Sequence, residues 1–189
     1  MAKKEIKTDL WVYELLKEAG LNLSAQGSDI VEINNALKTA SKSGTGKVGF
    51  PEYCGVVNDF LIVIEDKADT AKHIQRDANG LISLDTTSVR DFAVNGALHY
   101  GKHLAAHTSY NKIIAIGVSG DEKRHKITPL FIDERGNDKE LDDVETFTLF
   151  SAKNIAEYYV KNVLKEQTQD EKTTEEILKD AKALHEDLR

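Results

Sequence analysis

Three charged residues end an otherwise apolar run and are the part of the sequence best suited to chemistry. Residues 60–64 read Phe-Leu-Ile-Val-Ile and are followed by Glu65, Asp66 and Lys67. The run is typical of a strand that is buried on both faces. Because side chains alternate across a strand, Glu65 and Lys67 share one face and Asp66 points to the other. The pattern therefore predicts a carboxylate beside an ammonium at the end of a buried strand.

A second carboxylate is predicted to oppose Glu65. Residues 48–57 also resemble a strand, and Asn58-Asp59 between the two runs is a turn-favouring pair, which indicates a hairpin. In that hairpin the numbers of paired residues sum to about 117, so Glu52 lies opposite Glu65. Opposed carboxylates repel unless a proton or a divalent cation lies between them. Glu52 and Glu65 suit Mg²⁺, and Lys67 suits a catalytic cation that assists phosphodiester hydrolysis.

The elements that position these residues predict an α/β fold. The order is helices, the hairpin, a helix, two strands and more helices, which indicates a mixed, mostly buried sheet flanked by helices. We expect a first helix capped by Thr8-Asp9, a long helix capped by Ser88 and reaching about His107, and a short edge strand at 147–150. Further helices are predicted at 28–40, 152–164 and 173–188, and strands at 113–118 and 125–132.

Composition limits the function classes. The chain has 189 residues and 40% hydrophobic content, enough for a core, and no apolar run approaches the roughly 20 residues of a bilayer span. The single cysteine, Cys54, excludes an internal disulfide and fits a reducing cytoplasm. Residues 133–189 hold nine basic and sixteen acidic residues, which accounts for the whole net charge of −7. Residues 1–132 carry no net charge, so the acidity of the whole chain does not exclude a DNA-facing surface on that part.

The spacing of these residues resembles a nuclease family. Pro51-Glu52, twelve intervening residues and Glu65-Asp66-Lys67 resemble the PD-(D/E)xK signature, and residues 49–53 are similar to the form in N-terminal nuclease domains of restriction enzymes. Within that group the resemblance is to single-chain enzymes that join the nuclease to an N6-adenine methyltransferase, and to type I restriction subunits. It covers most of residues 8–132, including segments 91–103 and 114–120.

The resemblance implies a restriction-endonuclease-like core at 1–165 and a helical connector at 166–189 that leads to a methyltransferase domain. It implies a Mg²⁺-dependent endonuclease, with Mn²⁺ as a substitute, that cleaves double-stranded DNA, with two copies acting together for double-strand cleavage. Glu52 stands where relatives have Asp. Of the Gln-x-x-x-Tyr pattern that relatives place on the following helix, only Tyr100 is kept. A further acid on an upstream helix is expected, with Glu32 the first candidate and Glu14 the second.

Other residues have structural alternatives. Asp59 is an alternative first acid, but an Asp at this position more often caps a turn. His99, His103 and His107 recur every four residues and could together hold zinc, although a structural or DNA-facing polar stripe is the favoured interpretation. Lys42 and Lys47 flank the loop before Pro51 and are candidates for phosphate contact, with a solvated basic loop as the alternative.

Two other functions remain open on sequence alone. One is a structure-specific repair nuclease of the same fold that acts without a methyltransferase. The other is a catalytically inactive nuclease fold that serves as an interaction module, with residues 173–188 as its docking helix. Intact Glu52, Glu65 and Lys67 argue against the second.

Overall fold

The computed structural model describes residues 2–164 and contains one six-stranded sheet in the order β1-β2-β3-β4-β5-β6. Only β3 and β4 are parallel, and the other neighbours are antiparallel. The sheet is therefore mixed, as predicted. The strands are β1 (Ser24–Ala25), β2 (Tyr53–Val57), β3 (Phe60–Lys67), β4 (Lys112–Gly120), β5 (His125–Asp133) and β6 (Asp138–Glu140).

Helices cover both faces of this sheet. They are α1 (Ala2–Glu18), α2 (Val31–Leu37), α3 (Thr86–Asp91), α4 (Ala93–His107) and α5 (Ile155–Tyr159), which continues as a π-helix at Val160–Leu164. Short 3₁₀ turns lie at Thr70–Lys72 and Thr148–Phe150. Among residues 2–164, no helix is long and apolar enough to cross a membrane.

The alternation of side chains along β3 divides the core into two layers. Phe60, Ile62 and Ile64 pack with α1 and the C-terminal helices, whereas Leu61 and Val63 pack with α2 and α4. All five side chains are buried. A strand that is covered on both faces needs such a continuous apolar run, so the prediction for residues 60–64 is confirmed.

The α/β prediction is confirmed, but three local predictions were wrong. Helix α1 begins at Ala2, so Thr8 and Asp9 lie inside it, where the Thr8 hydroxyl donates to the Gly120 carbonyl at 2.6 Å. Asp85, not Ser88, caps the helix before the site, and the chain breaks again at Phe92, which is extended. Residues 147–150 contain a 3₁₀ turn, and the two edge strands of the sheet are β1 and β6. Short segments like these are decided by tertiary packing more than by local propensity.

The predicted helix at 173–188 and the connector at 166–189 lie outside the described residues. The division at 165 stays a prediction.

Candidate active site

Glu65 lies at the carboxyl end of β3, and its side chain is only 1% exposed. One carboxylate oxygen, Oε1, accepts a hydrogen bond from the backbone N–H of Glu52 at 3.1 Å. The other, Oε2, accepts from the ammonium of Lys42. A buried carboxylate requires such partners, because an ionised group without them is strongly disfavoured away from water. The two oxygens are thus held in fixed directions.

Glu52 lies next to Glu65 because the hairpin has the predicted register. Tyr53 pairs with Ile64 and Val57 with Phe60. Asn58 adopts a φ of 54°, a left-handed conformation that Asn tolerates and that a two-residue turn requires. Glu52 and Glu65 are the next residues after the Tyr53–Ile64 pair, and they face each other. Burial and the charge of Glu65 raise the pKa of the half-buried Glu52 carboxyl. The predicted opposition of two carboxylates is therefore present.

Lys67 continues β3 on the same face as Glu65. Its backbone pairs in parallel with Ser119 of β4. Its positive charge lowers the pKa of both Glu52 and Asp66. For Glu52, burial and the charge of Glu65 raise the pKa by more than Lys67 lowers it. The ammonium therefore belongs to the same electrostatic cluster as the two glutamates.

Asp66 points to the α1 face of the sheet, as the alternation predicts. Its Oδ2 is buried and has no hydrogen-bond partner among the described residues. Burial, then the charges of Glu52, Asp9 and Glu65, raise the pKa of Asp66 to about 8. Asp9, an exposed residue of α1, thus contributes negative charge to the same end of the sheet. Sequence reasoning had used Asp9 only as a helix cap.

Glycines let α4 approach the site closely. A Cβ on Gly117, which pairs with Glu65, would lie 2.6 Å from the Val94 Cα of α4. A Cβ on Gly96 would lie 3.2 Å from Glu65 Oε2. Gly96 stands where the family pattern has Gln. Because glycine has no side chain, the space beside α4 is left for the Glu65 carboxylate. In the sequence, the feature that indicates this close contact is the row of small residues on one face of α4, Ala93, Gly96 and Ala97.

Tyr100 of α4 is buried beside the same carboxylate. The Lys42 ammonium lies 5.5 Å from the centre of its ring. Burial, followed by the charges of Glu65 and Glu52, raises the pKa of the Tyr100 hydroxyl. The structure therefore brings Glu52, Glu65, Lys67, Tyr100 and Lys42 together.

The upstream acids expected from the resemblance lie elsewhere. Glu32 accepts hydrogen bonds from the backbone N–H and hydroxyl of Ser109, just before β4 begins, whereas Glu65 pairs with Gly117 near the end of that strand. The separation along β4 is five residues from Lys112 to Gly117, or about 17 Å. Glu14 is exposed and lines a surface cleft with Asp121 and Lys123. The tilt of a helix over a sheet, which periodicity does not encode, decides which acid reaches the strand end.

The remaining candidates have structural roles. Asp59 lies in the hairpin turn and forms an ion pair with Lys112 at 2.9 Å, at the opposite end of β3 from Glu65. His99 and His103 each place Nε2 2.8 Å from a carbonyl oxygen near the end of α2, those of Ala40 and Ala36. The structural interpretation of the histidine stripe is therefore supported. Lys47 is exposed, and its carbonyl closes the 41–47 loop by accepting from the Ser41 N–H.

The donor set at the site fits a hard, partly hydrated cation. Glu52 and Glu65 supply carboxylate oxygens, the ligands that Mg²⁺ prefers while it keeps several waters. Residues 2–164 contain no group of three or more His, Cys, Asp and Glu side chains arranged to hold a metal ion. A divalent cation would relieve the repulsion that raises the pKa of Glu52. Mg²⁺ suits such a site because one or two carboxylates and substrate phosphates suffice for it.

One known protein is similar to the whole of this chain. The chain is 36% identical, over 191 aligned positions, to the type II restriction enzyme and methyltransferase RM.BcgI of Heyndrickxia coagulans. The chain is thus a relative of a restriction enzyme. The alignment covers 100% of this chain and 30% of that protein, so the chain spans less than a third of the length of the curated relative. No family model and no solved structure matches the chain. The restriction-enzyme resemblance is confirmed, and the PD-(D/E)xK assignment stays a prediction.

Proposed function

We propose that the chain is the Mg²⁺-dependent endonuclease region of a restriction-modification enzyme and that it hydrolyses phosphodiester bonds of double-stranded DNA. One observation carries the proposal. The 1%-exposed Glu65 faces Glu52 at the end of a strand that presents Lys67 on the same face. This arrangement resembles that of the PD-(D/E)xK class, and we assign Glu52 as the first acid. The relationship to a restriction enzyme and methyltransferase supports the biological role.

Each residue has a defined task in this proposal. Glu52 and Glu65 hold the cation, which when bound supplies Lewis-acid chemistry at a phosphate oxygen and activates a water. Lys67 places a point charge next to the scissile phosphate and stabilises the negative charge that develops in the transition state. The buried Tyr100 ring keeps bulk water from Glu65, which strengthens the electrostatic interactions of that carboxylate. Lys42 and Lys47 are the proposed phosphate contacts. Of these two lysines, Lys42 is the one that contacts the Glu65 carboxylate.

The wider role follows the relative. We propose that a methyltransferase region accompanies this nuclease in the complete protein, as the printed name of the relative describes for that protein. Two copies acting on opposite strands would produce a double-strand break. Such an enzyme acts in the cytoplasm, where the chromosome and incoming DNA are present.

The test separates cation binding from cleavage. Binding of Mn²⁺ is measured by calorimetry and plasmid nicking is measured with Mg²⁺, for the wild type, Glu65→Gln and Lys67→Ala. Glu32→Gln is the matched control, because it makes the same chemical change at a carboxylate that lies at the other end of the sheet. We expect Glu65→Gln to abolish Mn²⁺ binding and Lys67→Ala to retain it. We expect both to lower nicking at least about a hundredfold, as when a transition-state charge contact is removed.

The outcomes are distinct. Loss of binding in Glu65→Gln but not in Glu32→Gln, with nicking lost in both site variants, supports the proposal. A wild type that binds no cation and nicks no plasmid overturns it. Cation binding without nicking supports the site but contradicts cleavage by this chain alone.

A further inference from the structure

The Lys42 ammonium lies on a carboxylate oxygen that the proposed cation would need. Lys42 donates to Glu65 Oε2, and the two side chains are 20% and 1% exposed. The same ammonium lies 5.5 Å from the centre of the Tyr100 ring. The lysine thus reaches from its loop into a partly buried position between a buried acid and an aromatic face.

The contact is unlike a surface ion pair. Surface pairs contribute little because water screens them and long side chains lose freedom. Here one partner, Glu65, is excluded from water, so its carboxylate lacks the solvation that a surface pair keeps and depends on polar contacts within the protein. The described contacts of Glu65 are the Glu52 N–H and the Lys42 ammonium, of which only Lys42 carries charge.

The loop that carries Lys42 is anchored at its base and has small residues at its tip. The Gly49 N–H donates to the Leu37 carbonyl at 3.0 Å, and His99 Nε2 lies 2.8 Å from the Ala40 carbonyl oxygen. Between these anchors, Gly44 and Gly46 have φ values of 70° and 69°, and residues 43–47 are exposed. The lysine side chain can therefore leave Glu65 without disrupting the core.

We propose that Lys42 is a built-in counter-ion of Glu65 that the divalent cation must displace, which makes it a positioning residue of the site. The inference rests on the proposed function, because it assumes that Glu65 is the cation ligand. Without the cation, Lys42 holds Glu65 Oε2 in a fixed direction. Glu65 would hold the cation in place of the ammonium, and the side chain of Lys42 would move away from Glu65. Cation affinity is therefore set by competition within the protein.

Cation affinity without DNA tests this competition. Calorimetry with Mn²⁺ alone compares the wild type, Lys42→Met and Lys38→Met. Met keeps much of the length of the lysine stem and removes the charge. We expect Lys42→Met to bind Mn²⁺ about tenfold more tightly, equivalent to about 1.4 kcal/mol. Lys38→Met removes the same charge just before this loop, from an exposed side chain that donates to Asn35, and we expect a change within about twofold, since exposed charges are screened.

A second measurement uses the wild type, so it holds even where Lys42→Met fails to fold. Lysine side chains are acetylated with a limiting amine-reactive reagent, with and without saturating Mn²⁺, and the modified sites are quantified by mass spectrometry. An ammonium held on a buried carboxylate reacts slowly, so we expect Mn²⁺ to raise labelling of Lys42 several-fold. Labelling of the exposed Lys47 serves as the internal reference.

The two failures are distinguishable. A wild type that binds Mn²⁺, together with Lys42→Met of equal or lower affinity, overturns the inference and leaves the proposed function intact. Labelling of Lys42 that does not respond to saturating Mn²⁺ does the same. Absence of Mn²⁺ binding in both the wild type and Lys42→Met overturns the proposed function and the inference with it.

Discussion

His73 is predicted to make the stability of the fold depend on pH. This imidazole is 3% exposed and lies between two hydroxyls, with Nδ1 2.8 Å from Ser119 Oγ and Nε2 2.6 Å from Thr128 Oγ1. Thr128 donates its own proton to Asp143 at 2.6 Å, so it must accept from His73 Nε2–H. His73 Nδ1 is then unprotonated and accepts from Ser119. In the neutral imidazole that burial favours, both ring nitrogens are therefore hydrogen-bonded.

The size of the effect follows from the pKa of His73. Burial lowers this pKa from 6.5 to about 4, although the charge of Asp143 acts in the opposite direction. Below pH 6.5 the unfolded chain takes up a proton that the folded protein refuses until about pH 4. The stabilising contribution of His73 is therefore fully present above pH 6.5 and falls as the pH falls. The contribution of His73 amounts to about 2 kcal/mol lost by pH 5 and about 3 kcal/mol by pH 4, at 1.36 kcal/mol per pKa unit.

Urea unfolding of the wild type and His73→Gln between pH 4 and pH 7.5, in EDTA, measures this contribution. Gln cannot be protonated here but keeps an amide in the network. We expect His73→Gln to be the less stable protein at pH 7 and to lose about 2 to 3 kcal/mol less than the wild type on acidification. His107→Gln, which removes an exposed imidazole, is the reference. A free-energy difference between wild type and His73→Gln that is the same at pH 7 and pH 4.5 would refute the reasoning.

Three substitutions test the packing around the site. Gly117→Ala places a Cβ 2.6 Å from the Val94 backbone, and we expect about 1 to 3 kcal/mol of destabilisation in urea unfolding. Asn95→Ala removes the partners of Gln75 N–H, Gln75 carbonyl and Ser83 carbonyl, all within 2.9 Å, and we expect a loss of about 2 to 4 kcal/mol in the same assay. Gly96→Ala displaces the Glu65 carboxylate by a few tenths of an ångström, so we expect several-fold weaker Mn²⁺ binding by calorimetry at little change in secondary structure by circular dichroism. Unchanged stability in the first two variants, or unchanged Mn²⁺ affinity in the third, contradicts these contacts.

The hairpin and its register could be predicted because they depend on local chemistry. The apolar run at 60–64 indicated a strand buried on both faces, and the Asn58-Asp59 turn set the pairing of Tyr53 with Ile64. A strand has a side-chain period of two, so one known pair determines the face of every other residue. The opposition of Glu52 and Glu65 followed from that single turn.

The contacts made by helices and loops could not be predicted in the same way. Glu32 and Asp9 are both acids on helices, and the sequence does not encode how each helix crosses the sheet. Packing places Glu32 on Ser109 and brings the charge of Asp9 to Asp66. Likewise, Lys42 was recognised as basic but not as a partner of Glu65, since an ion pair across 23 residues depends on where α2 ends relative to β3. These long-range placements are set by the whole core.

The electrostatics of the strand end argue that this site is functional. Glu52, Glu65 and Asp66 lie together, and their burial and mutual repulsion raise the pKa of Glu52 and Asp66, which disfavours the charged folded state at neutral pH. Apolar residues at these positions would avoid that cost, as they do at residues 60–64 of β3. Residues that destabilise the protein without its ligand are expected where a ligand binds. A divalent cation at Glu52 and Glu65 would remove much of this repulsion, because a doubly charged ion supplies more positive charge there than the Lys42 ammonium does.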